Sequence, residues 1–94
     1  MLNFSKMKLG GIMTTFKRKF NFNENILSVI SSNIRKYRIE KGVTQEQLAV
    51  DIGMSYDYLR RIESQKGKEG ISLMSLYKIS VVLGVTMDKF FEEN

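Results

Sequence analysis

The chain has 94 residues, and its 15 Lys and Arg residues outnumber 10 Asp and Glu residues, which gives a formal net charge of +5. Cysteine and histidine are both absent, which excludes disulfides, thiolate or imidazole metal sites, and catalysis by Ser-His or Cys-His pairs. We therefore expect no metal and no cofactor, and the lack of an apolar run of roughly 18 residues predicts no membrane span and a cytoplasmic protein.

The first 25 residues are predicted to form a flexible or disordered basic arm. They lack a helical apolar period and contain two adjacent glycines and scattered Asn and Ser, which favour an extended segment. Residues 1–27 carry five basic residues and one acidic residue, whereas residues 28–94 carry ten basic and nine acidic. The excess charge therefore belongs mainly to the arm, and the globular part needs a locally basic face to bind a polyanion.

The first helix is predicted from about Asn25 or Ser28 to Lys41. Its inward face is given by apolar residues three or four positions apart, Ile26, Ile30, Ile34 and Tyr37. Gly42 then ends the helix, because glycine adopts the left-handed conformation of a helix C-terminus at little cost.

Residues 44–63 are predicted to form two short helices joined by a tight turn. Thr44 and Gln47 have the spacing of a capping box at the start of the first helix. Gly53 ends that helix, and Ser55 caps the second. The inward positions are Leu48, Ala49 and Ile52 in the first helix and Leu59 and Ile62 in the second. The outward face of the second helix then carries Tyr56, Asp57, Arg60 and Arg61.

The last third of the chain is predicted to contain a loop and two further helices. The loop covers residues 64–70, and the fourth helix starts after Ser72 and ends at Gly84. Its buried positions are predicted to be Leu73, Leu76, Ile79, Val82 and Leu83. Thr86 opens a final short helix, so the pattern predicts five helices around one core.

These motifs, in register, resemble the DNA-binding domain of the lambda-repressor and Cro proteins, the XRE-type helix-turn-helix family. The resemblance runs from Ile30 to Asn94. The matching residues are Ile30-x3-Ile34-Arg-Lys-Tyr37-Arg38, Lys41-Gly-Val-Thr-Gln-Glu-Gln-Leu-Ala49, Ile52-Gly-Met-Ser55, Leu59-x2-Ile62-Glu63, and Leu73-x2-Leu76-x2-Ile79-x3-Leu83-Gly-Val85.

The resemblance implies an all-α, five-helix lambda-repressor-like DNA-binding domain over residues 26–94, with the motif at 44–63 and a flexible arm at 1–25. It also implies a sequence-specific transcriptional regulator, a repressor in particular. Such a protein reads the major groove of double-stranded DNA with the helix at 55–64 and is associated with the nucleoid.

The residues expected to read bases are Tyr56, Asp57, Arg60 and Arg61. The guanidinium groups of the two arginines match the O6/N7 pair of guanine or a phosphate. Alternatively, these arginines are only solvated surface residues without a role in binding. Tyr56 can contact a thymine methyl group or a phosphate. Asp57 can accept a hydrogen bond from cytosine or only complement the helix dipole.

The residues expected to contact phosphates are Gln45, Ser55, Tyr58, Lys66 and Lys68. Gln45 lies where helix amides attract anions, although glutamine is also an ordinary residue at a helix start. Tyr58 can instead pack against the neighbouring helix, and the two lysines can belong to a plain basic loop. The resemblance further implies a structural ion pair between Arg38 and Glu63, which orients the reading helix.

Apolar residues in the last two helices predict a homodimer. Val81, Met87, Phe90 and Phe91 exceed what a small monomer needs, and core packing is expected for Met87 and one phenylalanine. The rest are expected to form a two-fold contact through the C-terminal helices.

The arm has several interpretations: disorder without function, insertion into a minor groove, a dimer strand formed by the period-two residues Phe16 to Phe22, or loose association with an acidic membrane surface.

A second hypothesis is a protein-interaction module of the same fold, such as a toxin-binding antitoxin or an adaptor. Two adjacent arginines on the outward face favour DNA, whereas an acidic or apolar face would favour a protein.

An enzyme built from carboxylates or lysines is the third hypothesis. No paired acids stand out beyond Glu92 and Glu93, so we expect neither catalysis nor a small-molecule substrate.

Overall fold

The computed structural model describes residues 18–64 and 70–93. These residues form four α-helices and one 3₁₀ helix, and they contain no strand: α1 (Ile26–Lys41), α2 (Gln45–Ile52), α3 (Tyr56–Glu63), α4 (Leu73–Leu83) and the 3₁₀ helix (Met87–Phe91). The predicted all-α class is confirmed. The last predicted helix is a 3₁₀ helix, in keeping with its five-residue length and with the absence of a side-chain cap at Thr86.

Glycines in the left-handed conformation end the first two helices, as predicted. Gly42 has φ 78° and Gly53 has φ 73°. The Thr44 hydroxyl accepts a hydrogen bond from the Gln47 amide at 3.1 Å, as a helix cap should. The Gln47 side chain, however, donates to Asp51 at 2.9 Å. Among the described residues, only one of the two hydrogen bonds of the predicted capping box is therefore present, the one from the Gln47 amide to the Thr44 hydroxyl. The Gln47 side chain bonds to Asp51, one turn further along the helix, instead of to the Thr44 backbone.

The core lies where α1 packs against α3, α4 and the 3₁₀ helix, and where α2 packs against α3 and α4. Its buried apolar residues are Ile30, Ile34, Leu48, Ala49, Ile52, Leu59, Ile62, Leu76, Ile79, Leu83 and Phe90. Most of the predicted inward positions are among them. Leu73 was predicted to be buried and is 75 % exposed, because it lies on the side of α4 that also carries the exposed Tyr77 one turn later.

The end of the described chain is tied to α1 by a buried polar contact. The side-chain amide of Asn33 donates to the carbonyl oxygen of Phe90 at 2.8 Å and to that of Glu92 at 2.9 Å. The Phe90 ring is fully buried and meets the Tyr37 ring edge-on, with the ring centroids 6.1 Å apart. Met87 packs against the same core. The prediction that Met87 and one phenylalanine belong to the core is therefore confirmed.

Only the last part of the predicted arm falls within the described residues. Residues 18–23 contain no helix or strand, and the Arg18 guanidinium lies 5.1 Å from the centroid of the Phe20 ring. Residues 1–17 and the loop lysines Lys66 and Lys68 lie outside the described ranges. Within those ranges, no helix combines the length and the apolar character that crossing a bilayer requires.

Candidate nucleic-acid interface

The turn between α2 and α3 fixes where α3 lies on the domain. Gly53 adopts its positive φ in this turn, and the Met54 amide then donates to the Ala49 carbonyl at 2.9 Å. The Met54 side chain packs against the core and accepts a hydrogen bond from the Ser75 hydroxyl of α4 at 3.5 Å. Met54 therefore connects the turn to both α2 and α4.

Helix α3 is anchored by one face and exposes the other. The Ser55 hydroxyl caps it by accepting from the Tyr58 amide at 3.1 Å. Leu59 and Ile62 are buried, and Tyr58 packs partly against the core, as in the packing alternative. The exposed face carries the four residues predicted to read bases, Tyr56, Asp57, Arg60 and Arg61. A polar face of this kind, on a helix whose other side is fixed, has the form of a reading surface.

Three of these exposed residues are connected to one another. Asp57 accepts a hydrogen bond from Arg60 at 2.5 Å through one carboxylate oxygen and a second from Arg61 through the other oxygen. The arginines stand three and four positions after the aspartate, the spacing at which helical side chains meet. All three side chains remain about half exposed, at 56 % for Asp57 and Arg60 and 47 % for Arg61. The contacts are therefore surface ion pairs, each worth roughly 0–1 kcal/mol.

A buried ion pair lies behind this surface, between the helices. The Arg38 guanidinium donates to the Glu63 carboxylate from Nε at 2.6 Å and from Nη2 at 3.0 Å. Its Nη1 atom also donates to the Val43 carbonyl at 2.8 Å. The two charged side chains are only 10 % and 2 % exposed. The pair that the family resemblance implied thus links the end of α1 to the end of α3 and restricts how α3 can rotate.

Gln45 extends this ion pair, a contact that the sequence reasoning did not anticipate. Its amide nitrogen donates to Glu63 Oε1 at 2.8 Å, so its side chain points to the ion pair in the free protein. Glu63 Oε1 accepts from Arg38 as well as from Gln45, and its capacity for a second hydrogen bond can be recognised only once α2 and α3 are in place. The phosphate role of Gln45 stays a prediction, as do those of Ser55 and Tyr58.

Comparison with known proteins agrees with this geometry. A helix-turn-helix family model matches residues 34–90, which includes all of α2, α3 and α4. The chain belongs to the XRE-type helix-turn-helix family.

Similar proteins carry the names of regulators. The chain is 34 % identical over 58 residues to an uncharacterized HTH-type transcriptional regulator, y4dJ, of Sinorhizobium fredii, covering 62 % of this chain and 73 % of the relative. It is 36 % identical over 63 residues to the control protein C.MunI of a Mycoplasma species, covering 66 % and 82 %. These names agree with the prediction of a regulator rather than an enzyme.

A solved structure gives the same fold. The N-terminal DNA-binding domain of SinR from Bacillus subtilis has a TM-score of 0.64 and 33 % identity, covering 71 % of this chain and 96 % of that domain. SinR, a master regulator for biofilm formation, has also been solved in complex with DNA. The predicted lambda-repressor-like fold is therefore confirmed.

Proposed function

We propose that the chain is a transcriptional regulator, a repressor in particular, which binds a specific sequence of double-stranded DNA by placing α3 in the major groove. The observation that carries this proposal is the solvent-facing cluster of Asp57, Arg60 and Arg61 on a helix anchored from behind by Leu59 and Ile62. An α-helix fits the width of the major groove, and base edges there present a different pattern for each base pair. Such a regulator acts in the cytoplasm, at the nucleoid.

Base recognition is assigned to the exposed face of α3. Arg60 and Arg61 are the groups that match guanine best, because the guanidinium fork can donate to O6 and N7 together. Tyr56, at the start of the helix, is 43 % exposed and suits a thymine methyl group or a phosphate. Phosphate binding is assigned to residues around the motif, Gln45, Ser55, Tyr58, Lys66 and Lys68. Phosphate contacts supply the salt-dependent part of the affinity, whereas base contacts supply the choice of sequence.

A homodimer would double the length of DNA that the chain can read. After Phe90 and Met87 are used in the core, the C-terminal elements still expose Tyr77 and Val81 on α4 and Phe91 on the 3₁₀ helix. Tyr77 and Val81 are four residues apart and lie along one face of α4. Two-fold pairing through this surface would let two α3 helices enter successive major grooves about 34 Å apart on a near-palindromic operator.

Selection of bound duplexes from a random pool tests the proposal directly. We expect enrichment of one short, near-palindromic sequence that contains guanine, and affinity for that sequence should fall steeply with added salt. Failure of the wild-type chain to enrich any duplex would refute the proposed function.

The variant Arg61→Ala tests the assignment of base reading. We expect it to weaken binding to the selected duplex by about 1–3 kcal/mol and to relax the preference at one position, as loss of a bidentate guanine contact does. A circular dichroism spectrum controls for folding. Unchanged affinity and unchanged sequence preference would show that Arg61 does not read a base.

The alternative of a protein-interaction module, such as a toxin-binding antitoxin or an adaptor, is favoured by one observation. Between α2 and α4 lies a groove lined in part by Val50, Tyr77 and Val81, and all three side chains are exposed. A partner protein that binds with the groove intact, and is released by Val50→Glu while DNA binding persists, would favour this alternative.

A further inference from the structure

Asp57 occupies a particular position on the proposed reading surface. Helix α3 contains two acidic residues, and the other one, Glu63, is buried against Arg38. Asp57 is therefore the only exposed carboxylate of α3, and its two oxygens accept from the two exposed arginines of that helix, Arg60 and Arg61. A carboxylate on a surface that approaches phosphates is repelled by them, so its presence there needs a physical reason.

We propose that Asp57 is a specificity-determining residue that acts by positioning Arg60 and Arg61. This inference rests on the proposed function. Each contact that Asp57 receives occupies one atom of a guanidinium group, Nη2 of Arg60 and Nη1 of Arg61. A guanidinium group has five N–H donors, so the contact to Asp57 does not by itself use the donors that a guanine needs.

The positioning favours guanine over phosphate for reasons of entropy and charge. An arginine held by Asp57 has lost part of its rotamer freedom before DNA arrives, which reduces the ordering cost of a bidentate contact at the correct base. On a duplex of another sequence, no guanine accepts from the positioned arginines, and the Asp57 carboxylate remains close to the anionic backbone, which repels it. Asp57 thus strengthens binding to the correct sequence relative to all others.

The variant Asp57→Asn tests this role against a matched control. The amide keeps the size of the side chain and removes its charge. Asp51→Asn removes the same unit charge from α2, where the Asp51 carboxylate accepts from Gln47 instead of an arginine. The probes are the duplex selected from the random pool and a scrambled duplex of the same length and composition, each titrated at several salt concentrations.

We expect the ratio of affinities for the selected and scrambled duplexes to fall about tenfold in Asp57→Asn, the order expected when two arginine side chains lose their prior ordering. The ratio should change less than twofold in Asp51→Asn. Asp57→Glu, which keeps a carboxylate three and four residues before the arginines, should restore most of the ratio. Melting temperatures of the three variants verify that the domain remains folded.

A double-variant cycle separates positioning from simple charge removal. In the background Arg60→Gln/Arg61→Gln, Asp57→Asn should no longer change the ratio, because no arginine remains to be positioned. An equal change of the ratio in Asp57→Asn and Asp51→Asn, or an effect of Asp57→Asn that persists in that background, would overturn the inference while leaving the proposed function standing. A wild-type chain that does not distinguish the two duplexes would overturn both.

Discussion

Replacing Arg38 with alanine should destabilise the domain far more than replacing an ordinary surface arginine. The substitution removes the two donors that face the Glu63 carboxylate, at 2.6 and 3.0 Å, and the donor to the Val43 carbonyl. Glu63, which is 2 % exposed in the intact pair, would keep Gln45 as a hydrogen-bond donor but would lose the positive charge that compensates its own. Removing one partner of a buried ion pair costs about 3–5 kcal/mol.

That loss is large compared with the total stability of a small domain, which is roughly 5–15 kcal/mol. A domain of this size loses about 4–8 °C in melting temperature per kcal/mol, so the expected decrease is at least about 12 °C. Urea unfolding followed by circular dichroism measures the free energy. Arg35→Ala is the matched control, because Arg35 is an exposed arginine of the same helix, and its cost should be below about 0.5 kcal/mol.

Removing both charges of the pair should cost far less than removing Arg38 alone. In the variant Arg38→Met/Glu63→Leu no buried charge is left unpaired, so its stability should lie well above that of Arg38→Ala and within about 1 kcal/mol of the wild type or higher. If Arg38→Ala were as stable as Arg35→Ala, or the double variant were less stable than Arg38→Ala, the account of the buried pair given above would be wrong.

Two other substitutions have expected outcomes. Gly53→Ala should lower the free energy of unfolding by about 1–2 kcal/mol. This cost comes from the left-handed backbone alone, since a Cβ at position 53 meets nothing within 4 Å. Gly70→Ala is the control, because position 70 is equally open and has no positive φ, and it should not change the free energy of unfolding measurably. Val81→Glu should convert the proposed dimer to a monomer in sedimentation velocity, and because Val81 is 60 % exposed it should lower the melting temperature only by the stabilisation that dimerisation contributes. Ile39→Glu, an exposed apolar position on α1, is its control, and equal sedimentation of wild type and Val81→Glu would contradict the proposed interface.

Features that depend on local sequence could be predicted well. Gly42 and Gly53 end their helices, and Thr44 and Ser55 cap theirs, because these preferences are decided within one turn of chain. The regular spacing of Leu59 and Ile62 likewise predicted the face of α3 that is buried. The position of the candidate reading surface followed from these local rules.

Features that depend on contacts between side chains could not be predicted in the same way. The side chain of Gln45 reaches Glu63, 18 positions later in the chain, only because α2 and α3 meet at that angle. Asp57 has suitable spacing to both arginines, but the sequence leaves open whether it pairs with them or with DNA. Leu73 fits an apolar period, yet it lies on the side of α4 that carries the exposed Tyr77 and is itself exposed.

The hydrogen bonds from Asn33 to the carbonyls of Phe90 and Glu92 affect how the domain folds during synthesis. The partners of this buried amide lie 57 and 59 residues later in the chain, and the ring of Phe90 fills the same region of the core. A nascent chain that has reached only α4 therefore lacks these partners of Asn33 and leaves an apolar hollow open beside α1. Until residues 87–92 emerge from the ribosome, this face of the newly synthesised domain is exposed to chaperones and to aggregation.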